Sequence, residues 1–328
     1  MIVFVTGANG LVGSFILKEI LAIGYKPKLL LRENSDTLLI KDELPFCDIE
    51  YGDVLDSVVL QKGINGCDAV IHCAGLVSFD PSRRKAIFKV NLEGTTNIVN
   101  ACIQNKIKKI IHISSVAALS RQGNLLQISE NSKWEDSSFN SSYAKSKYLA
   151  ELEVFRGGEE GLDFTIINPT VVIGPGDVTK SSTKLIQYIR NYPWFSPKGY
   201  INVVDVRDVA RVACAMLTID HRNRLILNSG VLTYKCLYDL VFQYTKSPVF
   251  SIQLPKITLY LASLWSILKS FFVKGEPLLT LENCKHISKR YDYKSLYYDQ
   301  FFNRQLIPAE ESVAYTLGTL DEVNVRND

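Results

Sequence analysis

A chain of 328 residues with 47% hydrophobic content can bury a substantial core, enough for one large α/β domain or such a domain with a smaller lobe. Its 37 Lys and Arg against 34 Asp and Glu leave a net charge of +3, with no basic stripe interleaved with aromatics, which argues against nucleic acid as a partner. Seven scattered cysteines (Cys47, Cys67, Cys73, Cys102, Cys214, Cys236 and Cys284) form no Cys-x-x-Cys, and the four histidines lack metal-ligand spacing, so reduced thiols in a cytoplasmic protein and no metal site are expected.

The first strand is expected at Ile2–Thr6, which predicts no signal peptide. It runs into Thr6-Gly-Ala-Asn-Gly-Leu-Val-Gly13 and a helix over Leu11–Ile23. Three glycines between a strand and a helix are the signature of a dinucleotide phosphate loop. Gly7 permits the tight turn, Gly10 lets the backbone approach a pyrophosphate, and Gly13 allows close helix–sheet packing. The N–H groups at Asn9, Gly10, Leu11 and Val12 are then expected to face the phosphates, where the helix dipole favours negative charge. The next strand, Lys28–Arg32, ends on Arg32-Glu33-Asn34-Ser35. An arginine there offers a forked cationic partner to a 2′-phosphate, which favours NADP over NAD, while Glu33 remains the alternative as a ribose ligand. Asp53-Val54, after a strand at Ile49–Gly52, suits the adenine edge; Asp53 as the cap of a helix over Val54–Lys62 is the competing reading.

Further strands are expected at Ala69–His72, Lys109–Ser114 and Phe164–Asn168, with helices at Arg83–Asn105 and Ser142–Phe155. This alternation predicts a doubly wound parallel sheet of the Rossmann type, covered on both faces. Lys106, Lys108 and Lys109 read as a solvated helix C-terminus. Beyond Asn168 the pattern is irregular: a loop-rich stretch to Tyr200, then a strand-and-helix pattern over Val203–Thr218 and a strand at Leu225–Asn228. Residues 1–174 and 201–231 are therefore assigned to the nucleotide-binding domain. Residues 175–200 and 232–328 are assigned to a smaller, mostly helical substrate lobe built from discontinuous pieces. Residues 257–273 read as an amphipathic helix, for core or lid packing or for docking on a membrane surface, and not as a transmembrane span.

Tyr143-Ala-Lys-Ser-Lys147 places a phenol and an ammonium on one helix face. A phenol with a reference pKa of ~10 is a poor acid–base catalyst at neutral pH, and a neighbouring cation stabilises its phenolate. Lys147 would also hold the nicotinamide ribose. Ser115 ends a strand, where open α/β sheets bind ligands, and its hydroxyl can orient a substrate oxygen towards Tyr143; a loop cap is the plainer reading of the same serine.

Together with Gly52-Asp53-Val54, His72-Cys-Ala-Gly75, Asn91-Leu-Glu-Gly94-Thr95, Asn168-Pro-Thr-Val-Val-Ile-Gly-Pro175 and Val203-Val-Asp-Val-Arg-Asp-Val-Ala210, these motifs resemble the extended short-chain dehydrogenase/reductases. The run from Pro169 to Pro175 is closest to the dihydroflavonol reductase and 3β-hydroxysteroid dehydrogenase branch. The resemblance implies that Cys73, Ala74 and Gly75 lie along the cofactor and that Pro169 to Val172 pass beside the nicotinamide. It also implies a homodimer through the helices at Arg83–Asn105 and Ser142–Phe155, with Val90, Ile98, Cys102, Leu149, Leu152 and Val154 as candidate apolar surface. Val116-Ala117 stands where sugar-nucleotide dehydratases carry Asp-Glu, and Ala118-Leu119-Ser120 replaces the Tyr-Gly common in epimerases. Ser120 also falls where plant reductases contact flavonoid through asparagine. The leading expectation is NADP(H)-dependent interconversion of a carbonyl and an alcohol on a small, partly apolar substrate, the aromatics Tyr192, Trp194 and Phe195 suggesting the apolar part or else ordinary packing. The alternatives are a nucleotide-sugar epimerase, in which Arg207 meets a diphosphate or else pairs with Asp205 or Asp208, and a non-catalytic NADP(H)-binding sensor or scaffold.

Overall fold

The computed structural model describes residues 1–78, 80–119, 127–137, 140–245, 251–255, 257–258 and 287–327. Its centre is a seven-stranded parallel sheet. In chain order the strands are β1 (Ile2–Thr6), β2 (Lys26–Leu31), β3 (Asp48–Tyr51), β4 (Ala69–His72), β5 (Lys109–Ile113), β7 (Asp163–Pro169) and β11 (Arg224–Leu227). They lie side by side as β11-β7-β5-β4-β1-β2-β3, a doubly wound Rossmann arrangement whose order reverses between β1 and β4. The strands alternate their apolar side chains between two layers. Val3, Val5, Leu29, Leu31, Ile71 and Ile111 pack beneath α1 (Leu11–Ala22) and α7 (Val206–Ala215). Phe4, Leu30, Val70, Ile110 and Ile166 pack beneath α2 (Ser57–Ile64), α4 (Gly94–Gln104) and α5 (Ser142–Glu159). Burial on both faces explains why the strands are continuously apolar.

The helix expected over Arg83–Asn105 is broken. A 3₁₀ turn at Pro81–Arg83 leads into α3 (Arg84–Phe88), a π-helical turn at Lys89–Glu93 and then α4. The wide turn carries Asn91, whose amide accepts from the Leu76 N–H at 2.7 Å and donates to the Leu76 carbonyl at 3.0 Å. One inward side chain thus ties the helix to the loop after β4, a common use of π-bulges.

The stretch from 175 to 200, expected to be mainly loop, contains α6 (Ser181–Asn191) and β9 (Phe195–Pro197). Ile186 and Ile189, one turn apart, are fully buried, and the surrounding Ser, Lys and Tyr had masked that helical stripe. They join Ile173, Ile201 and Val203 with Leu237 and Val241 of α8 (Tyr234–Thr245) in a separate core. The remaining described elements are β6 (Gln127–Ile128), β8 (Val171–Ile173), β10 (Tyr200–Asp205), β12 (Gly230–Thr233), β13 (Ile252–Leu254), β14 (Asp292–Tyr293), α9 (Tyr298–Phe301) and α10 (Ala309–Asn327). Val313 and Leu317 of α10 complete that second core. No described helix is long and apolar enough to cross a membrane. Residues 259–273 of the expected amphipathic helix, with Ser120 and Cys284, lie outside the described residues.

Of the three clustered lysines, Lys106 and Lys108 are exposed as expected, but Lys109 is buried. As the first residue of an interior strand, it pairs with Asp163 at 3.4 Å and donates to the Ile219 carbonyl. Lys106 ends α4 with φ of 54°, a left-handed conformation that penalises a side chain. Lys106→Gly is expected to raise stability by up to about 1 kcal/mol, read from the urea midpoint.

Candidate active site

The crevice where the strand order reverses is bordered by the turn after β1. Gly7 has φ of 70°, and a Cβ there would stand 2.6 Å from the Ala74 nitrogen. A Cβ on Gly13 would stand 2.0 Å from the Gly7 carbonyl oxygen, so the helix packs on its own turn without room for a methyl group. Around Gly10 the nearest such contact is the Gly7 oxygen at 3.4 Å, leaving that face of the turn open. The expectation for the N–H groups needs one correction. The Gly10 N–H donates to Gly7 O at 3.1 Å and closes the turn, so it does not face a ligand. Leu11 and Val12, the first residues of α1, have N–H groups without an intrahelical acceptor. The Asn9 side chain turns away to the Asp36 carbonyl at 3.0 Å, tying the loop to the turn after β2.

Arg32 is exposed just beyond β2, and Ser35 N–H closes a turn onto its carbonyl at 2.9 Å. Asp53 does not cap a helix. Its carboxylate accepts from Leu55 N–H at 3.0 Å, and α2 starts later, capped by Asp56 through Val58 and Val59 N–H. Val54 is buried against Gly94, where a Cβ would stand 2.8 Å from Val54 Cγ2.

Across the crevice, Ser141 caps α5 by accepting from Ala144 N–H at 3.0 Å, placing Tyr143 in the first turn, half-buried. Lys147 follows one turn later at 4% exposure, its ammonium donating to the Ile113 carbonyl at 2.8 Å. A Cβ on Gly75 would stand 3.9 Å from Lys147 Nζ, so Cys73–Gly75 and Lys147 share one wall. Burial pushes Lys147 down from 10.5 to about 8, against the opposing pull of Glu151 and Cys73. Burial also raises the Cys73 thiol to about 12, unsuited to nucleophilic work. Ser115 continues from β5. Its hydroxyl oxygen accepts from Ala117 N–H at 3.1 Å, the cap of a short 3₁₀ turn, which leaves the hydroxyl proton available to donate. Pro169 ends β7, and Val172 lies on β8.

A set of groups unassigned by the sequence supports these residues. Glu151, fully buried one turn beyond Lys147, accepts from Ser114 Oγ, from Asn168 Nδ2 at 2.6 Å and from Arg224 Nε at 2.7 Å. Asn168 Nδ2 also donates to the Ser115 carbonyl at 3.0 Å. Asn91 Nδ2 reaches Ser146 Oγ at 2.9 Å. His72 lies between Thr6 Oγ1 at 2.7 Å and Thr95 Oγ1 at 3.0 Å. The Thr95 hydroxyl donates to the Asn91 carbonyl, so it accepts from His72 Nε2–H and His72 Nδ1 accepts from Thr6. Burial, then the Lys147 charge, depress His72 to about 3, and the same influences hold its neighbour His112 well below the ordinary value. The one signal for Glu151 was its i,i+4 spacing from Lys147.

Arg207 is committed elsewhere. It makes bonds of 2.9 and 2.8 Å to Asp205, a third to Glu311 at 3.2 Å, and lies 4.2 Å from the Tyr315 ring centroid. Asp208 pairs instead with Arg211. Tyr192, Trp194 and Phe195 are each more than half exposed, and the Tyr192 ring lies 5.0 Å from that of Tyr188 between centroids.

Residues 3–228 match the model of the NAD dependent epimerase/dehydratase family. The chain is 34% identical over 213 residues to "Putative dihydroflavonol 4-reductase" of Synechocystis sp., covering 63% of this chain and 60% of that protein. It is 29% identical over 228 residues to cinnamoyl-CoA reductase 1 of Oryza sativa subsp. japonica, covering 64% and 65%. The chain thus spans about two thirds or less of these relatives' own lengths. The crystal structure of gox2253 superposes with a TM-score of 0.83 at 26% identity, covering 98% of both chains.

The depressed Lys147 titration has a consequence for stability. An unfolded lysine binds its proton up to about 10.5 and the folded one only to about 8, so stability rises with pH between those values. From about pH 7.5 to about 9.5, the parent should gain roughly 1–2 kcal/mol relative to Lys147→Met in urea unfolding. A difference independent of pH would mean that Lys147 is not perturbed.

Proposed function

Because the chain belongs to the NAD dependent epimerase/dehydratase family, we propose that it is an NADP(H)-dependent oxidoreductase interconverting a carbonyl and an alcohol on a small, partly apolar substrate. One arrangement carries the reading: the buried Lys147 ammonium stands beside Gly75 and one helical turn from Tyr143, at the carboxyl ends of the strands. The residues fit a dinucleotide. The open face at Gly10 and the N–H groups of Leu11 and Val12 would hold the diphosphate, Arg32 the 2′-phosphate, and Asp53 the adenine edge beside the packed Val54. Cys73, Ala74, Gly75, Pro169 and Val172 would line the nicotinamide half, with Lys147 on its ribose. NAD in place of NADP would shift the ribose contact to Glu33.

When bound, the reduced nicotinamide supplies the hydride that a carbonyl carbon accepts. Ser115 donates its hydroxyl proton in a hydrogen bond that fixes the carbonyl oxygen. Tyr143 delivers the phenolic proton to that oxygen as the C=O π pair moves onto it, leaving an alcohol and a phenolate. The Lys147 charge stabilises the phenolate until solvent returns the proton. In reverse, the phenolate takes the proton from the alcohol.

Nucleotide-sugar epimerisation is the competing reading within the family, but the Arg207 guanidinium that would have supported it is held by Asp205 and Glu311. A net change of NADPH absorbance across a panel of ketones, aldehydes and nucleotide sugars separates the two, and a sensor or scaffold would turn over none. A homodimer through α3–α4 and α5 accompanies this reading on a narrower surface than expected. Ile98, Cys102 and Val154 belong to the chain's own core and Val90 packs against it, which leaves Leu149 and the exposed Leu152.

Tyr143→Phe is expected to lower turnover by ~10²–10⁴-fold while NADPH affinity stays within a few-fold of the parent. Undiminished turnover would end the mechanism. Arg32→Ala should weaken NADPH by about one to two decades and NADH hardly at all, measured by fluorescence titration. Equal losses for both cofactors would make Glu33 the candidate ribose ligand.

A further inference from the structure

The turn between β8 and α6 crosses from the second lobe to the phosphate loop. A Cβ on Gly176 would stand 3.1 Å from Leu11 Cδ1, so this turn lies directly against the start of α1. It is anchored at its far end by Ser182 Oγ on the Val172 carbonyl and Thr183 Oγ1 on the Gly174 carbonyl. Within it, Asp177 accepts from Thr179 N–H at 2.8 Å and Thr179 Oγ1 at 2.6 Å, and Lys180 N–H closes onto Asp177 O at 3.0 Å. The Lys180 ammonium sits 2.7 Å from Asp177 Oδ2 with its side chain 67% exposed. The carboxylate of Asp36 adds to the pull of Asp177 in keeping that ammonium charged, and the Arg32 guanidinium opposes them, so Lys180 and Arg32 share one electrostatic neighbourhood. Asp36 belongs to the turn whose carbonyl receives Asn9 of the phosphate loop.

We propose that Lys180, carried from the second lobe, is a second specificity-determining cation that reads the 2′-phosphate of NADPH together with Arg32. The inference rests on the cofactor reading above and deepens it. A 2′-phosphate is a near-dianion at neutral pH and takes two cations more readily than one. Arginine offers a planar fork and lysine a compact point charge on a flexible stem. Releasing Lys180 breaks only an exposed ion pair, which contributes little. Asp177 keeps its bonds to Thr179 when Lys180 leaves, so the turn holds its shape while the ammonium swings to the phosphate. Specificity would then depend on both lobes, with Arg32 from the strand end and Lys180 from the turn above it.

The test uses the full chain and calorimetric titration with 2′,5′-ADP, 5′-ADP, NADPH and NADH. Lys180→Ala should weaken 2′,5′-ADP and NADPH about tenfold and leave 5′-ADP and NADH within about twofold. Lys180→Arg should restore most of the loss, and Asp177→Asn should leave NADPH as tight as in the parent or tighter. Unchanged NADPH affinity in Lys180→Ala overturns the proposal, as does an equal loss for all four ligands, which would make Lys180 a prop for the turn. A parent that binds NADPH but loses its phosphate preference only in Arg32→Ala confines the reading to Arg32. A parent without preference for 2′,5′-ADP over 5′-ADP removes the NADP reading itself, and this inference with it.

Discussion

A lysine ammonium buried between a parallel sheet and a helix is the constraint around which the rest of this molecule is arranged. Lys147 is 4% exposed, and an unpaired charge taken out of water to that degree is strongly unfavourable. The chain moderates this penalty with the Ile113 carbonyl at 2.8 Å and with the carboxylate of Glu151 one turn along the same helix. The residual strain shows in the downward displacement of its titration. A cation so placed governs its neighbours: it helps keep His72 and His112 neutral, and it forms one wall of the crevice with Gly75.

Glu151 is paired directly with Arg224, which reaches it from β11, the far edge of the sheet. The same carboxylate receives Ser114 and Asn168, and Asn168 also holds the Ser115 carbonyl. One side chain therefore fixes the exit of β5, the end of β7 and the start of β11 relative to α5. Removing one partner of such a buried pair leaves a charge uncompensated, which is far worse than never having buried it. The position of Ser115 thus follows from the electrostatics of α5 and from three strands as much as from its own turn. His112 has both ring nitrogens buried without a protein partner among the described residues; pairing with His72 at 5.2 Å between ring centroids is the contact it does make.

Legibility in the sequence followed the range of the interaction. The glycine turn, the Tyr143–Lys147 spacing and the strands facing two apolar layers are local patterns, and the structure carries them within a residue or two of where the sequence put them. Lys109 was misread because its exposed neighbours set the local impression, whereas its place at the head of an interior strand buries it. Helix α6 was hidden because only its Ile186 and Ile189 stripe is apolar, in a segment otherwise read as loop. The π turn at Asn91 was invisible because its cause lies in the backbone of Leu76, beyond the reach of any periodicity. The Glu151–Arg224 pair spans 73 positions and requires the strand order before either residue can be related to the other.

The division between shared and private parts of the chain has the same physical origin. Residues 3–228, which match the family model, carry the parallel sheet but for the first residue of β1, the glycine turn and the buried Lys147 with its partners. That assembly is intolerant of change because its central buried groups are tied to partners far away in sequence, Glu151 to Ser114 and Arg224 and Lys147 to the Ile113 carbonyl. The second core draws Leu237, Val241, Val313 and Leu317 from beyond the matched region and requires of them only apolar character and volume. Packing of that kind accepts substitution more readily than a buried hydrogen-bond network. A core built this way can change its shape while the sheet beneath it keeps Tyr143 and Lys147 in place, and alignments that run over 213 and 228 residues of the chain are what such a partition produces.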